Sequence, residues 1–190
     1  AGAGHDAVQW VENPTREELH RLRAYYYANI TMIDEKIGEI MEILKEKGYL
    51  ENSIIIFTSD HGDALGDHGH IQKWTMYDCC TRVPLIIRFP EKFQENKKID
   101  TLIQQMDLAP ALLQLAGIEV PQHWDANSIL PLLTGETTAG REYVFAEHGK
   151  DWAEEVFTGT DLMTMVRSKK WKLVHYLGEN FGELYNLEKD

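Results

Sequence analysis

Leu19, Leu22, Tyr26, Ile30, Ile33, Ile37, Ile40, Met41 and Leu44 recur mostly at steps of three and four residues, the period of one face of an α-helix. Thr15-Arg16-Glu17-Glu18 before this stripe is a capping-box signature, and Pro14 discourages helix further upstream. Gly48 supplies a stop. The pattern predicts one amphipathic helix of roughly eight turns at about 3.6 residues per turn. It drifts from strict heptads and a strand follows at once, so it is expected to pack on a sheet rather than in a coiled coil.

Ile54-Ile55-Ile56-Phe57 reads as a short buried strand, ended by polar turn residues. Gly62 to Tyr77 reads as a loop, and Val83 to Phe89 as a second buried strand entered through Pro84. After a charged loop from Glu91 to Lys98, Thr101 to Met106 is expected to form a short strand. Asp107 begins a helix that tolerates Pro110 in its first turn and ends at Gly117. Ser128 to Leu133 predicts a short helical turn. Beyond Gly135 the texture changes. Tyr143 to Ala146, Met163 to Arg167 and Trp171 to Tyr176 are short, spaced apolar runs that predict a small antiparallel sheet. Two regions are therefore expected, residues 1–134 and 135–190.

Composition narrows the function more than the fold. The 190 residues are 43% hydrophobic and 26% charged, ordinary for a globular chain. A formal net charge of −12 argues against nucleic acid or an anionic membrane as a generic partner. It leaves an anionic substrate open, because a local cation decides that. No run approaches the ~18 apolar residues needed to cross a bilayer. Cys79 and Cys80 are adjacent, which suits them poorly to pairing and implies no disulfide framework.

The first strand runs out into Ser59-Asp60-His61-Gly62. That places a carboxylate and an imidazole at a strand's carboxyl end, where ligands bind in open α/β sheets. Asp60 and His61 together can offer an oxygen and a nitrogen to a divalent cation. On these two residues alone an Asx-type turn is the better reading. Asp63 and Asp67, each beside Gly or His, read as turn residues. His68 and His70 read slightly better as loop histidines bonded to backbone than as groups facing a substrate. Lys73 on its own reads as a solvated lysine.

Five blocks in order alter that balance. They are Arg23 to Ala28 with Ile33-Asp34, Ile54 to Gly69, Lys73 with Arg82 to Ile87, Met106 to Gly117, and Trp171 to Leu173 with Glu183 to Leu187. Together they resemble the second half of the sulfatase family, in the alkaline-phosphatase-like superfamily. The resemblance implies an α/β fold, with a mixed sheet between helices and a small C-terminal antiparallel sheet. It implies Asp60 and His61 as ligands of a divalent metal, Ca²⁺ ahead of Mg²⁺ or Mn²⁺. It implies Lys73 as the group that binds the sulfuryl oxygens, with His68 and His70 as lesser catalytic candidates. Loops bearing His123, Trp124, His148, Trp152 and Phe157 would rim the pocket or simply pack.

The implied activity is metal-dependent hydrolysis of a sulfate ester, on a small molecule or glycan, by a formylglycine nucleophile. The family matures that nucleophile from a Cys/Ser-x-Pro/Ala-x-Arg motif. Cys80-Thr81-Arg82-Val83-Pro84 has similar letters in the wrong order. The chain therefore reads as the C-terminal part of an enzyme whose N-terminal part supplies the nucleophile and further metal carboxylates, and which alone is inactive. A phosphodiesterase or phosphonate monoester hydrolase of the same superfamily, or a non-catalytic fragment, is the alternative.

Overall fold

The computed structural model describes residues 14–149 and 162–190. Trp152 and Phe157 lie outside the described residues. The chain forms two compact units, dividing between Glu91 and Lys92.

In the first unit, helix α1 spans Arg16–Glu46. Its capping box is formed: Thr15 Oγ1 accepts from the Glu18 amide at 3.2 Å, and the Glu18 carboxylate accepts from the Thr15 amide at 2.8 Å. Gly48, at φ +72°, turns the chain out after the helix. Strand β1 (Ile55–Thr58) pairs antiparallel with β2 (Leu85–Arg88), Ile55 opposite Arg88 and Thr58 opposite Leu85. The short helix α2 (Asp78–Thr81) leads into β2. Ala64, Met76, Cys80 and Phe89 are buried here.

Two expectations fail in this unit. Neither β1 nor β2 is a buried strand, since Phe57 and Ile86 lie exposed and no residue of either is fully covered. No residue of α1 is buried, and Tyr25, Ile30, Ile33 and Ile40 are exposed. The helix does not pack on a sheet, because among the described residues the unit offers a two-stranded piece against a helix of 31 residues. Its close neighbour is instead the 3-10 turn Leu50–Asn52.

In the second unit, α3 (Leu108–Leu115) and α4 (Leu130–Thr134) precede a four-stranded antiparallel sheet. Its strands are β3 (Val144–Gly149), β4 (Leu162–Arg167), β5 (Trp171–Tyr176) and β6 (Gly182–Asn186), in chain order. Side chains alternate between faces. Val144, Met163, Met165 and Val174 are buried, while Phe145, Leu173 and Leu184 lie on the exposed face.

The expected strand from Thr101 to Met106 is absent. Leu102 makes a single bridge to Arg141, and Gln105–Asp107 is a 3-10 turn. The cause is Asp107, whose Oδ2 accepts from the Gln104 amide at 2.9 Å and closes the turn. Arg141 holds the same carboxylate through Nε at 2.7 Å and an NH2 group at 2.5 Å, and the Asn127 amide donates to it at 2.8 Å. All four donors converge on a side chain that is 1% exposed.

Candidate active site

The polypeptide leaves β1 at Thr58 and enters a loop shaped by its own side chains. Asp63 Oδ1 accepts from the amides of Leu65 at 2.8 Å and Gln72 at 3.1 Å, tying the loop's two ends together. Asp63 is thus a turn residue, as its neighbours implied. Leu65, His68 and Gln72 all sit at positive φ, a region that costs a non-glycine residue on the order of 1–3 kcal/mol. Three such residues in eight positions need outside support. Arg23 on α1 provides some: its Nε donates to the Leu65 carbonyl at 3.1 Å, and its NH2 pairs with Asp67 at 2.7 Å. From below, the Gly62 amide donates to the Cys80 carbonyl at 2.8 Å. A Cβ at Gly62 would lie 1.8 Å from the Cys79 carbonyl oxygen, so only glycine fits.

Asp60 and His61 project from the start of this loop. The His61 amide donates to Asp60 Oδ1 at 3.0 Å, which, ahead of the nearby Lys73 charge, lowers the carboxyl's pKa. His61 Nδ1 lies 2.8 Å from the Gly62 carbonyl. A carbonyl only accepts, so Nδ1 carries a proton, and in the neutral ring the lone pair falls on Nε2. Nε2 is 3.5 Å from Asp60 Oδ2. The Asp60 side chain is 84% exposed.

A ligating histidine usually has its other ring nitrogen held by a carbonyl or carboxylate, which fixes ring and tautomer. His61 meets that condition. Two donors 3.5 Å apart also suit adjacent positions around one divalent ion. Among the described residues no group of three or more His, Cys, Asp and Glu side chains could hold a metal ion. The pair therefore fits a divalent cation as part of its shell, not as the whole.

Lys73 is half-buried, with its ammonium 5.2 Å from the Trp74 ring centroid. Its charge is the smallest of the causes that lower the Asp60 pKa. His68 is exposed and stacks on Tyr77 at 4.1 Å between centroids. His70 lies 5.9 Å from the same ring. The structure thus brings Asp60 and His61 together at the start of the loop, sets Lys73 beside the Trp74 ring, and engages both histidines with Tyr77. Residue types alone gave no sign of Arg23 or Gln72, which shape the loop. Three residues in left-handed backbone without glycine leave no mark in a sequence.

A sulfatase family profile matches residues 5–118, and a profile described as N-sulphoglucosamine sulphohydrolase, C-terminal, matches residues 66–190. The chain belongs to the sulfatase family. It is 32% identical over 181 residues to arylsulfatase K of Xenopus laevis, covering 93% of this chain and 33% of that protein. A phosphonate monoester hydrolase from Silicibacter pomeroyi superposes with a TM-score of 0.83 at 31% identity, over 95% of this chain and 37% of that one. A structure solved with its substrate D-glucosamine-2-N,6-O-disulfate superposes with a TM-score of 0.78 at 32% identity, over 86% and 33%. The chain spans about a third of the length of the curated relatives it matches. The likeness extends through both units, and the α/β class expected from the sequence is the one found.

Proposed function

We propose that this chain is the metal-loop and C-terminal part of a sulfuric ester hydrolase acting on a sulfated sugar or other sulfate ester. The observation that carries the reading is the Asp60–His61 pair, with Oδ2 and Nε2 3.5 Å apart and the imidazole tautomer set by the Gly62 carbonyl. Asp60 would give one oxygen and His61 its Nε2 to a divalent cation, Ca²⁺ ahead of Mg²⁺ or Mn²⁺. When bound, that cation would act as Lewis acid and template for a sulfate oxygen. Lys73 would place its ammonium against the sulfuryl oxygens as charge builds on them. His68 and His70 remain candidates for protonating the leaving oxygen, although their engagement with Tyr77 favours a packing role.

The formylglycine nucleophile and the remaining metal carboxylates would come from sequence outside this chain, which contains no Cys/Ser-x-Pro/Ala-x-Arg motif. That outside part is also the partner expected to cover α1. We place the boundary between the catalytic part and a C-terminal subdomain near residue 135, where the antiparallel texture begins. The named substrate of the disulfate-bound structure supports a sulfated glycan. The phosphonate hydrolase match supports phosphonate or phosphate monoesters as the second reading.

The experiment is steady-state hydrolysis of 4-nitrophenyl sulfate and phenylphosphonate monoester by the full-length enzyme. Sulfate is expected to be the better substrate. Lys73→Ala should lose about a hundredfold or more in turnover, the scale of removing ~3 kcal/mol of transition-state stabilisation, with an unchanged melting temperature. Lys73→Arg should rescue only in part, since a planar fork replaces a compact ammonium. Near-normal turnover in Lys73→Ala, or in Asp60→Ala, would overturn the assignment. The isolated chain should hydrolyse neither ester above buffer.

A further inference from the structure

Cys79 and Cys80 are the chain's two cysteines, and nothing proposed above uses their thiols. Both are free, Cys79 half-buried and Cys80 buried, on α2 against the loop that carries Asp60 and Lys73. Their sulfurs lie 3.9 Å apart.

Two bonding modes can be compared at that distance. A disulfide normally spans Cα atoms about 4.4–6.8 Å apart and an S–S bond of about 2.05 Å. Adjacent Cα atoms across a trans peptide are only ~3.8 Å apart, so direct pairing is disfavoured twice. A single soft atom held at ~2.3 Å from each of two sulfurs asks for about 3.8 Å between them if tetrahedral and roughly 3.4 Å if pyramidal and trivalent. The observed 3.9 Å is therefore a small side-chain rotation from a one-atom bridge and far from an S–S bond.

We propose that Cys79 and Cys80 form a chelating site for one thiophilic centre, of the class of monosubstituted trivalent arsenicals, and that bridging the pair loosens the loop above it.

The protonation state of Cys79 agrees with that class. Burial, then the neighbouring Cys80 and Asp67, pushes the Cys79 thiol up to about 12. A protonated thiol is a poor nucleophile toward oxidants and alkylating agents. An arsenoso group needs no thiolate. Two As–S bonds replace the As=O bond, both thiol protons leave with the oxygen as one water, and arsenic stays trivalent. No oxidant or reductant is consumed.

The coupling to the loop runs through Gln72. The Cys80 thiol donates to the Gln72 carbonyl at 3.4 Å and accepts from Thr75 Oγ1 at 3.5 Å. Bridging removes that thiol proton. The same carbonyl accepts from the Ala64 amide at 2.9 Å, and Gln72 is one of the three residues at positive φ. A donor is thus withdrawn where the backbone is strained, next to the Gly62–Cys80 bond that carries the loop from below.

The site does not depend on the proposed activity, because its test reads thiols and amides. Folded chain, checked by circular dichroism, is titrated with phenylarsine oxide and followed by intact mass and free-thiol assay. One arsenical per chain, loss of both thiols, and release by a dithiol but not by an equal concentration of monothiol are expected. Cys79→Ser and Cys80→Ser should each weaken binding about a hundredfold, the scale of losing an intramolecular second attachment. Should Cys80→Ser not fold, the half-buried Cys79→Ser variant decides. Exchange of the Gly62 and Ala64 amides should rise roughly tenfold on bridging, as local opening becomes easier. Consumption of one thiol only, formation of a Cys79–Cys80 disulfide instead, or wild-type affinity in Cys79→Ser would overturn the site. Unchanged amide exchange would overturn its coupling to the loop.

Discussion

Asp60 and Asp107 are both carboxylates with lowered pKa values, and they are otherwise opposites. Asp107 is 1% exposed and takes donors on both oxygens from Arg141, Gln104 and Asn127. Burial alone would raise its pKa; the hydrogen bonds from Arg141 and the two amides more than offset that. Asp60 is 84% exposed, and the His61 amide and the Ser59 hydroxyl both meet its Oδ1. Oδ2 lies 3.5 Å from His61 Nε2, the ring nitrogen that the Gly62 carbonyl leaves unengaged. A saturated, buried carboxylate is committed to the fold. An exposed one with an open oxygen beside a second open donor is available for chemistry.

The largest effect expected from this contrast is on stability at Asp107. Asp107→Asn leaves the Arg141 guanidinium without its counter-ion, and breaking a buried pair on one side costs about 3–5 kcal/mol. The lower end applies, because Arg141 keeps 16% exposure. Urea unfolding of the chain should show it, while Asp60→Asn should leave the midpoint where it was. Equal shifts for the two variants would erase the distinction between them.

Acid sharpens the same contrast. The folded pKa of Asp107 is depressed. Its contribution is therefore complete above the unfolded value of about 3.9 and is lost as pH falls through the folded value. Unfolding midpoints taken downward from about pH 5 should decline steeply in wild type and more shallowly in Asp107→Asn. A parallel decline in both would mean that other carboxylates control acid unfolding.

Arg23 belongs between the two extremes. Its pair with Asp67 leaves 38% and 58% of the two side chains exposed, and exposed pairs contribute ~0–1 kcal/mol. Arg23→Ala should lower global stability by no more than that. It should speed exchange of the loop amides of Gly66 and His70, which close the turn that Arg23 overlies. Unchanged exchange would show that the loop holds its strained conformation without α1.

Local signals were legible and distant ones were not. Thr15 to Glu18 announced the helix start because a capping box is contained in four residues. The apolar run at residues 54–57 located β1 to within one position. The strand expected at Thr101–Met106 failed because a side chain three residues away captured the Gln104 amide, aided by an arginine 34 residues on. The packing expected of α1 failed because periodicity states that a face is apolar, not what covers it. Within the loop, Asp60 and His61 could be named since adjacency and a preceding strand suffice. The bond from Arg23 to Asp67 spans 44 positions and has no sequence pattern.

The smallest effect is the most direct on Asp60. A hard cation such as Ca²⁺ wants about 6–8 ligands, and this chain's loop mouth offers two. Affinity of the isolated chain should therefore be no better than millimolar. A ligand that binds only the folded state multiplies the folding constant by one plus the ratio of its concentration to Kd, about twofold when the two are equal. Calcium titration at fixed urea should thus displace the unfolding curve slightly. Asp60→Asn should abolish the displacement, because the amide replaces the open Oδ2 charge. His61→Ala should abolish it too, through loss of Nε2. Asp107→Asn, though far less stable, should keep the full calcium response, since its carboxylate has no oxygen to give. A micromolar site that survives Asp60→Asn would place the cation elsewhere. A calcium response lost in Asp107→Asn but kept in Asp60→Asn would invert the comparison between the two carboxylates.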